Sequence, residues 1–217
     1  MHVFVEGIDY PWLGDRDVPR GAAPRPGWSA ILVEGGAASA QEEVAAVREL
    51  ASVNAWIHGF IAPMALLGED DPLIVGHRAN VAIAAAGASG RLPLDLLVGA
   101  AGWANALDVL GDDEGRSVVL DHCGGGPLGS EQWRAFVTAA ARFPHAMVKI
   151  SAAPPRGVIV LLLDLFGAER MMFGSDWPVT REDDQLKTLL SVLGASTTEA
   201  RAVLGANAER VYGLLGG

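Results

Sequence analysis

The chain has 217 residues, 26 acidic against 16 basic, a formal net charge of −10 at pH 7 and a hydrophobic share of 50%. That is the length of one domain, with apolar material for a large core and too little positive charge to displace the counterions of a nucleic acid. The lone cysteine, Cys123, excludes an intramolecular disulfide and a thiolate metal cluster within one chain.

The first fifteen residues lack the basic stretch and long apolar run of a secretory leader. The most apolar run, Val158–Phe166, is nine residues and contains Asp164, far short of the roughly 20 that cross a bilayer. A soluble, cytoplasmic protein with no membrane partner is the expectation.

The polar, Pro-rich stretch from Asp15 to Pro26 reads as a loop. Ser29–Glu34 (SAILVE), closed by Gly35-Gly36, is the pattern of a strand buried on both faces of a parallel sheet. Ser39, with Glu42 three places on, reads as a capping box for a helix that sets Val44, Val47 and Leu50 on one face. Strands are predicted at Ala55–Pro63, Ile74–Ile83 and Pro93–Val98, then a helix over Trp103–Leu110. Ser117–Cys123 (SVVLDHC) is a strand ending in the turn Gly124-Gly125-Gly126-Pro127. Ser130 caps a helix whose Trp133, Phe136, Val137 and Ala140 share a face. Ala146–Ala152 is a strand, Gly157–Phe166 an apolar helix stopped by Gly167, and Arg170–Asp176 the last strand. Thr180 and Asp183 open a helix with Leu186, Leu189, Leu190 and Leu193 on one side; Ser196 and Glu199 box another, which leads to a final helix ending near Leu215. Seven strands with helices between most of them predict parallel βαβ units. The choice is an open doubly wound sheet or a (β/α)8 barrel, in one domain over residues 1–217.

Functional groups in such folds gather at the carboxyl ends of the strands. His122 and Asp176 both sit at predicted strand ends. Three glycines after His122 would let a ligand or metal approach the backbone, and Trp177-Pro178 stops the strand after Asp176. A histidine and an aspartate from different strands suit a divalent metal, or an acid/base pair around a water. Taken singly, His122 is as readily a hydrogen-bonded turn residue and Asp176 a capping carboxylate; their equivalent placement favours function. His77 and Arg78 are neighbours in a strand and point to opposite faces. Arg78 can therefore grip a substrate carboxylate or form a structural ion pair. Lys149 within a strand needs a partner or a catalytic use. His58 reads as a core histidine, His145 as a surface one, His2 as an ordinary terminal residue and Cys123 as small and buried. The tryptophans at 12, 28, 56, 103, 133 and 177 read mostly as core.

VLDHCG at 119–124, VKIS at 148–151 and MFGSDWPV at 172–179 resemble the amidohydrolase-related family, in its branch of lactonases acting on sugar lactones and pyrone dicarboxylates. NAERVYGL at 207–214 is similar to that family's closing helix, YPWL at 10–13 to its early loop, and Gly76-His77-Arg78 to its mid-chain strand. The resemblance implies a (β/α)8 TIM-type barrel, shortened at the N-terminus with an incomplete first strand. Of the family's Asp-x-His-x-His strand only His2 is present, in Met1-His2-Val3-Phe4. It implies Asp176 as metal ligand or general base and His122 as the residue that polarises the carbonyl or shares the metal. Arg78 would hold an anionic or hydroxylated substrate, with Tyr10, Trp12, Lys149 and Trp177 as further substrate contacts. His2, His122 and Asp176 would be the ligands of a divalent zinc or manganese ion, where one is bound. The family's Lys-x-Ser-Gly reads Lys149-Ile150-Ser151-Ala152. The implied reaction is attack of water on the carbonyl of a small lactone, then protonation of the departing alkoxide, in a candidate homo-oligomer. Two other readings stay open: a decarboxylase of the same superfamily, and a catalytically silent barrel that binds a small molecule.

Overall fold

The computed structural model describes residues 1–214 except 3, 17, 21–26, 69, 81–90, 113–114 and 181. Seven strands stand side by side in chain order, every pair parallel: β1 Ala30–Val33, β2 Ile57–Pro63, β3 Ile74–Asn80, β4 Leu94–Leu97, β5 Val118–Leu120, β6 Ala146–Ile150 and β7 Met171–Phe173. Between them run α1 Ala40–Val53, α2 Trp103–Asp112, α3 Glu131–Ala140 and α4 Arg156–Phe166; α5 Glu182–Leu193, α6 Thr198–Arg201 and α7 Asn207–Val211 follow β7. The strand-and-helix alternation expected of a barrel is what the chain forms. Among the described residues no helix is long and apolar enough to cross a membrane.

Among the described residues, His2 links β1 to the segment after β7 at one rim. His2 bridges Val33 of β1 in parallel, the Val33 N–H donates to the Met1 carbonyl at 2.9 Å, and the His2 N–H donates to the Trp177 carbonyl at 3.0 Å. Below this two-residue stave lies a cavity of about 170 Å³ whose lining includes Ile31, Val33, Met172, Phe173, Leu204 and Tyr212.

Side-chain alternation then layers the interior. Leu94, Leu96, Val118, Leu120, Ala146, Val148 and Ile150 belong to the core under the helices. Their strand neighbours Val119, Met147 and Met172 meet Val33, Ile61 and Tyr212 inside the curl. Two residues further along the same inward faces stand Asp121 and Lys149, because successive strand residues alternate sides. The polar groups thus form a layer above an apolar plug, toward the carboxyl ends.

The helix caps mostly follow the predicted pattern. Ser39 Oγ accepts from the Glu42 N–H at 3.2 Å and Ser130 Oγ from the Trp133 N–H at 3.1 Å, and Gly167 at φ 69° ends α4. The cap of α6 is Thr197, not Ser196: its Oγ1 accepts from the Ala200 N–H at 3.0 Å. Thr180 spends its hydroxyl on Asp176 rather than on a helix end. β5 and β7 are also shorter than expected: residues 121–124 form a tight turn with His122 and Cys123 at positive φ, and residues 174–176 lie beyond the strand. His58 is exposed, not core. Of the six tryptophans only Trp133 is fully buried, while Trp12 is 47% exposed. Residues 81–83 of the third predicted strand, most of the 15–26 loop's tip (17 and 21–26) and Leu215 lie outside the described residues.

The glycines after His122 serve packing instead of ligand access. A Cβ on Gly125 would stand 1.8 Å from the Val98 carbonyl oxygen, and one on Gly126 would stand 2.5 Å from Trp103 Cζ2. The turn is tied down by two indoles, Trp103 Nε1 donating to the Gly124 carbonyl and Trp133 Nε1 to the Cys123 carbonyl, both at 3.0 Å.

Candidate functional site

The stave, the turn after β5 and the segment after β7 bring His2, His122 and Asp176 together. One ligand atom from each lies within 4.8 Å of the others. His122 (φ 51°) and Asp176 (φ 53°) both adopt the left-handed backbone conformation that non-glycine residues seldom occupy, a kind of strain that concentrates at functional sites.

The hydrogen bonds define what each group presents. His2 Nδ1 lies 3.0 Å from the Glu34 carbonyl. A carbonyl only accepts, so this nitrogen carries the proton, and Nε2 faces Asp176 Oδ1 at 3.5 Å. Asp176 Oδ2 accepts the Thr180 hydroxyl at 2.6 Å. Burial would raise the Asp176 carboxyl, but the His2 contact, His122 and Thr180 outweigh it and hold it below the ordinary carboxylate range. His122 Nδ1 lies 2.8 Å from Ser151 Oγ and Nε2 lies 3.3 Å from Arg78 Nη2. Burial lowers the His122 pKa, favouring the neutral ring.

These donors fit a divalent cation. His2 Nε2 and Asp176 Oδ1 stand 3.5 Å apart, a pair that a proton on the ring or a metal ion completes. Glu34, Asp95, Asp121 and Asp176 supply four carboxylates around the site against two cations, Arg78 and Lys149. Two imidazole nitrogens and one carboxylate oxygen are also a set that leaves zinc an open position. The small cavity there, about 20 Å³ and lined in part by His2, Asp121, His122, Lys149, Ser151 and Asp176, holds about one water.

Beneath the site the cations are already engaged. Arg78 Nε donates to Asp121 Oδ2 at 2.8 Å and Nη1 to Glu34 Oε1 at 3.3 Å. Lys149 Nζ donates to Asp121 Oδ1 at 2.7 Å and also to Asp95, whose other oxygen accepts the Tyr212 hydroxyl at 2.6 Å. Burial would raise Asp121, but Lys149 and Arg78 hold it far below the usual carboxylate range. Arg78 and Lys149, expected as substrate contacts, both hold ion pairs with buried carboxylates, and Lys149 also lines the cavity at the site.

The early loop is corrected in part. Tyr10 is 3% exposed and packs with Phe4 and Leu13, its hydroxyl accepting from the Val5 N–H at 3.2 Å, so it forms a wall of the core. Trp12 Nε1 donates to the Gly35 carbonyl at 2.5 Å, leaving its ring exposed at the rim after β1. Trp177 reaches the site through its backbone carbonyl, which accepts from His2.

Gly35 is also held from below. Its N–H donates to Glu43 Oε1 at 2.5 Å, while Glu43 Oε2 is buried without a hydrogen-bond partner among the described residues. Burial pushes the Glu43 carboxyl up to about 7 from 4.5. The folded state therefore binds more protons than the unfolded chain between about pH 4.5 and 7, and stability falls as pH rises through that window. Ionised in the fold, Glu43 costs about 3 kcal/mol. Glu43→Gln keeps the acceptor and removes the charge. Urea melts at pH 8 should show a more stable variant, by about 1–3 kcal/mol, and a profile without this slope; an unchanged slope assigns it to another group.

Glu34, Asp95, Asp121 and Ser151 are site residues that pattern reading did not single out. Asp121 and Ser151 lie within the quoted motifs, each at an even spacing along its strand from an inward residue (Val119 and Met147), which is the signal that would have found them.

The amidohydrolase family profile matches residues 91–214. The L-fucono-1,5-lactonase of Burkholderia multivorans is 32% identical over a match that takes in 45% of this chain and 43% of the lactonase, so the chain spans less than half the length of that curated relative. A zinc-bound amidohydrolase from Burkholderia multivorans superposes with a TM-score of 0.76 at 22% identity, over 98% of this chain and 96% of that one. A structure described as a 2-pyrone-4,6-dicarboxylic acid hydrolase from Pseudomonas putida gives 0.68 at 19% identity, over 100% and 96%. At those identities the two structures speak for the fold, and the profile match speaks for descent: the chain belongs to the amidohydrolase family.

Proposed function

We propose that this protein is a hydrolase that opens a small, uncharged lactone, such as a sugar lactone, with a water activated between Asp176 and the two histidines. The observation that carries the reading is the meeting of His2, His122 and Asp176 within 4.8 Å over a water-sized cavity. It is supported by the family and by the lactonase relative.

His2, His122 and Asp176 would hold the zinc or manganese ion. Bound there, the ion would supply Lewis acidity, lowering the pKa of water and polarising the carbonyl. Asp176, kept ionised at neutral pH, accepts one proton from the attacking water as its oxygen bonds to the carbonyl carbon. The ring C–O bond then breaks, and Asp176 returns the proton to the departing alkoxide. Thr180 holds the second carboxylate oxygen and so keeps the first aimed at the water. Arg78 Nη2 lies against the His122 ring at Nε2, 3.3 Å away.

The charge balance favours an uncharged substrate. Four carboxylates against two cations leave −2, which a divalent ion would bring to zero with no surplus for a dicarboxylate. One unpaired like-charge contact at 5 Å costs about 3 kcal/mol at an effective dielectric of 20. Zinc- or manganese-loaded protein should hydrolyse aldono-1,5-lactones with kcat/KM at least ~10-fold above that for a dianionic pyrone dicarboxylate, and chelation should abolish turnover. Turnover of the dianion alone, or of neither compound, overturns the reading.

A further inference from the structure

We propose that Ser151 is a positioning residue that locks the His122 imidazole in its Nδ1-protonated form and leaves Nε2 as an acceptor, the atom that Arg78 Nη2 approaches at the edge of the site. The proposal rests on the hydrolytic reading of that site for its purpose, though not for its geometry.

The argument starts at the other nitrogen. A guanidinium has donors and no acceptor, so the 3.3 Å approach of Arg78 Nη2 to His122 Nε2 requires an unprotonated Nε2. In a neutral ring the proton is then on Nδ1, which donates to Ser151 Oγ at 2.8 Å. Ser151 is 1% exposed at the end of β6. It is packed firmly enough that a Cβ added to Gly174 would stand 3.3 Å from its own Cβ. Ala152 and Ala153, both in the left-handed region at φ 61° and 49°, turn the chain away immediately afterwards.

The chemistry of the partner matters as much as its place. A carboxylate at Nδ1 would stabilise the imidazolium and favour a ring without a free lone pair. A hydroxyl accepts the Nδ1 proton without adding charge, so it fixes the tautomer and leaves the ring neutral. Buried and close to Asp121, Arg78, Lys149 and Asp176, His122 sits where such a choice decides whether it offers a lone pair or a proton to whatever enters the cavity.

The test uses full-length, metal-free protein labelled with ¹⁵N-histidine. Two-bond ¹⁵N–¹H spectra report the tautomer of each of the five histidines, and His122 is assigned by the signals lost in His122→Gln. In the wild type His122 should be the Nδ1–H form. In Ser151→Ala the ratio of Nδ1–H to Nε2–H should fall at least tenfold with the amide spectrum otherwise preserved, and Ser151→Thr should restore it. In metal-loaded protein, Ser151→Ala should lower kcat for lactones about 10–100-fold, with KM little changed. A wild-type His122 protonated at Nε2, or a tautomer that ignores Ser151→Ala, overturns the proposal; the wild-type spectrum decides even where the alanine variant fails to fold. A tautomer that moves as stated in a protein inert to every lactone upholds the positioning role and removes the hydrolytic reading instead.

Discussion

Replacing Asp176 with asparagine is expected to lower kcat/KM for lactone hydrolysis by ~10³-fold while leaving the fold intact, the loss typical of removing a positioned general base. The amide has nearly the volume of the carboxylate and its oxygen can still accept the Thr180 hydroxyl, so the segment after β7 keeps its anchor. What disappears is the basic oxygen facing His2 at 3.5 Å. The same change removes one of three candidate metal ligands, so zinc affinity measured by competition with a chromophoric chelator should fall alongside activity. A variant that loses affinity but regains full rate at saturating zinc makes Asp176 a ligand only and moves the base elsewhere. A variant within tenfold of wild type in both measurements removes Asp176 from the reaction.

The reach of the sequence differs between site residues for a physical reason. Asp176 and His122 were legible because each abuts a strand end marked by local turn residues, and strand ends in parallel sheets share a rim. Their backbone conformation was not: nothing in SDW or DHC announces φ near 50°, which the packing of the following turns imposes. Arg78 shows the limit most clearly. Its inward direction follows from alternation, but its partners Asp121 and Glu34 are 43 and 44 residues away, and both were among many carboxylates on the page. Tyr10 lies in a loop, where no alternation signals direction, and it fills the core with Phe4 and Leu13. Adjacent hydroxyls at Ser196 and Thr197 are equivalent in a pattern, and only the entry angle of the chain selects Thr197. The group that closely approaches Gly125, among the glycines after His122, is the Val98 carbonyl.

The ionic layer under the site should be the most fragile part of the fold to single substitutions. Asp121 is 2% exposed and joins both interior cations, accepting from Lys149 at 2.7 Å and Arg78 at 2.8 Å. Asp121→Asn keeps the shape but removes the charge that balances them. Lys149 is left with Asp95 and Arg78 with Glu34, in surroundings where water cannot compensate. Breaking a buried pair in this way costs about 3–5 kcal/mol, a large part of the stability of a domain this size. Urea unfolding at pH 7 should show that loss. The direction with pH follows from the depressed carboxyl: Asp121 contributes its stability above its unfolded value near 3.8 and loses it as the pH falls below that. Wild type and Asp121→Asn should therefore converge on acidification below about pH 4, and a constant gap between them would assign the loss to packing instead of charge. Lys149→Met offers the complementary case. It leaves Asp95 and Asp121 facing each other without the ammonium between them, so the variant should lose stability most at neutral pH and recover part of it in acid, as one carboxyl takes up a proton. Deficits that both shrink on acidification, from two substitutions in one contact, are what an electrostatic layer requires, and a layer held by shape alone would give neither.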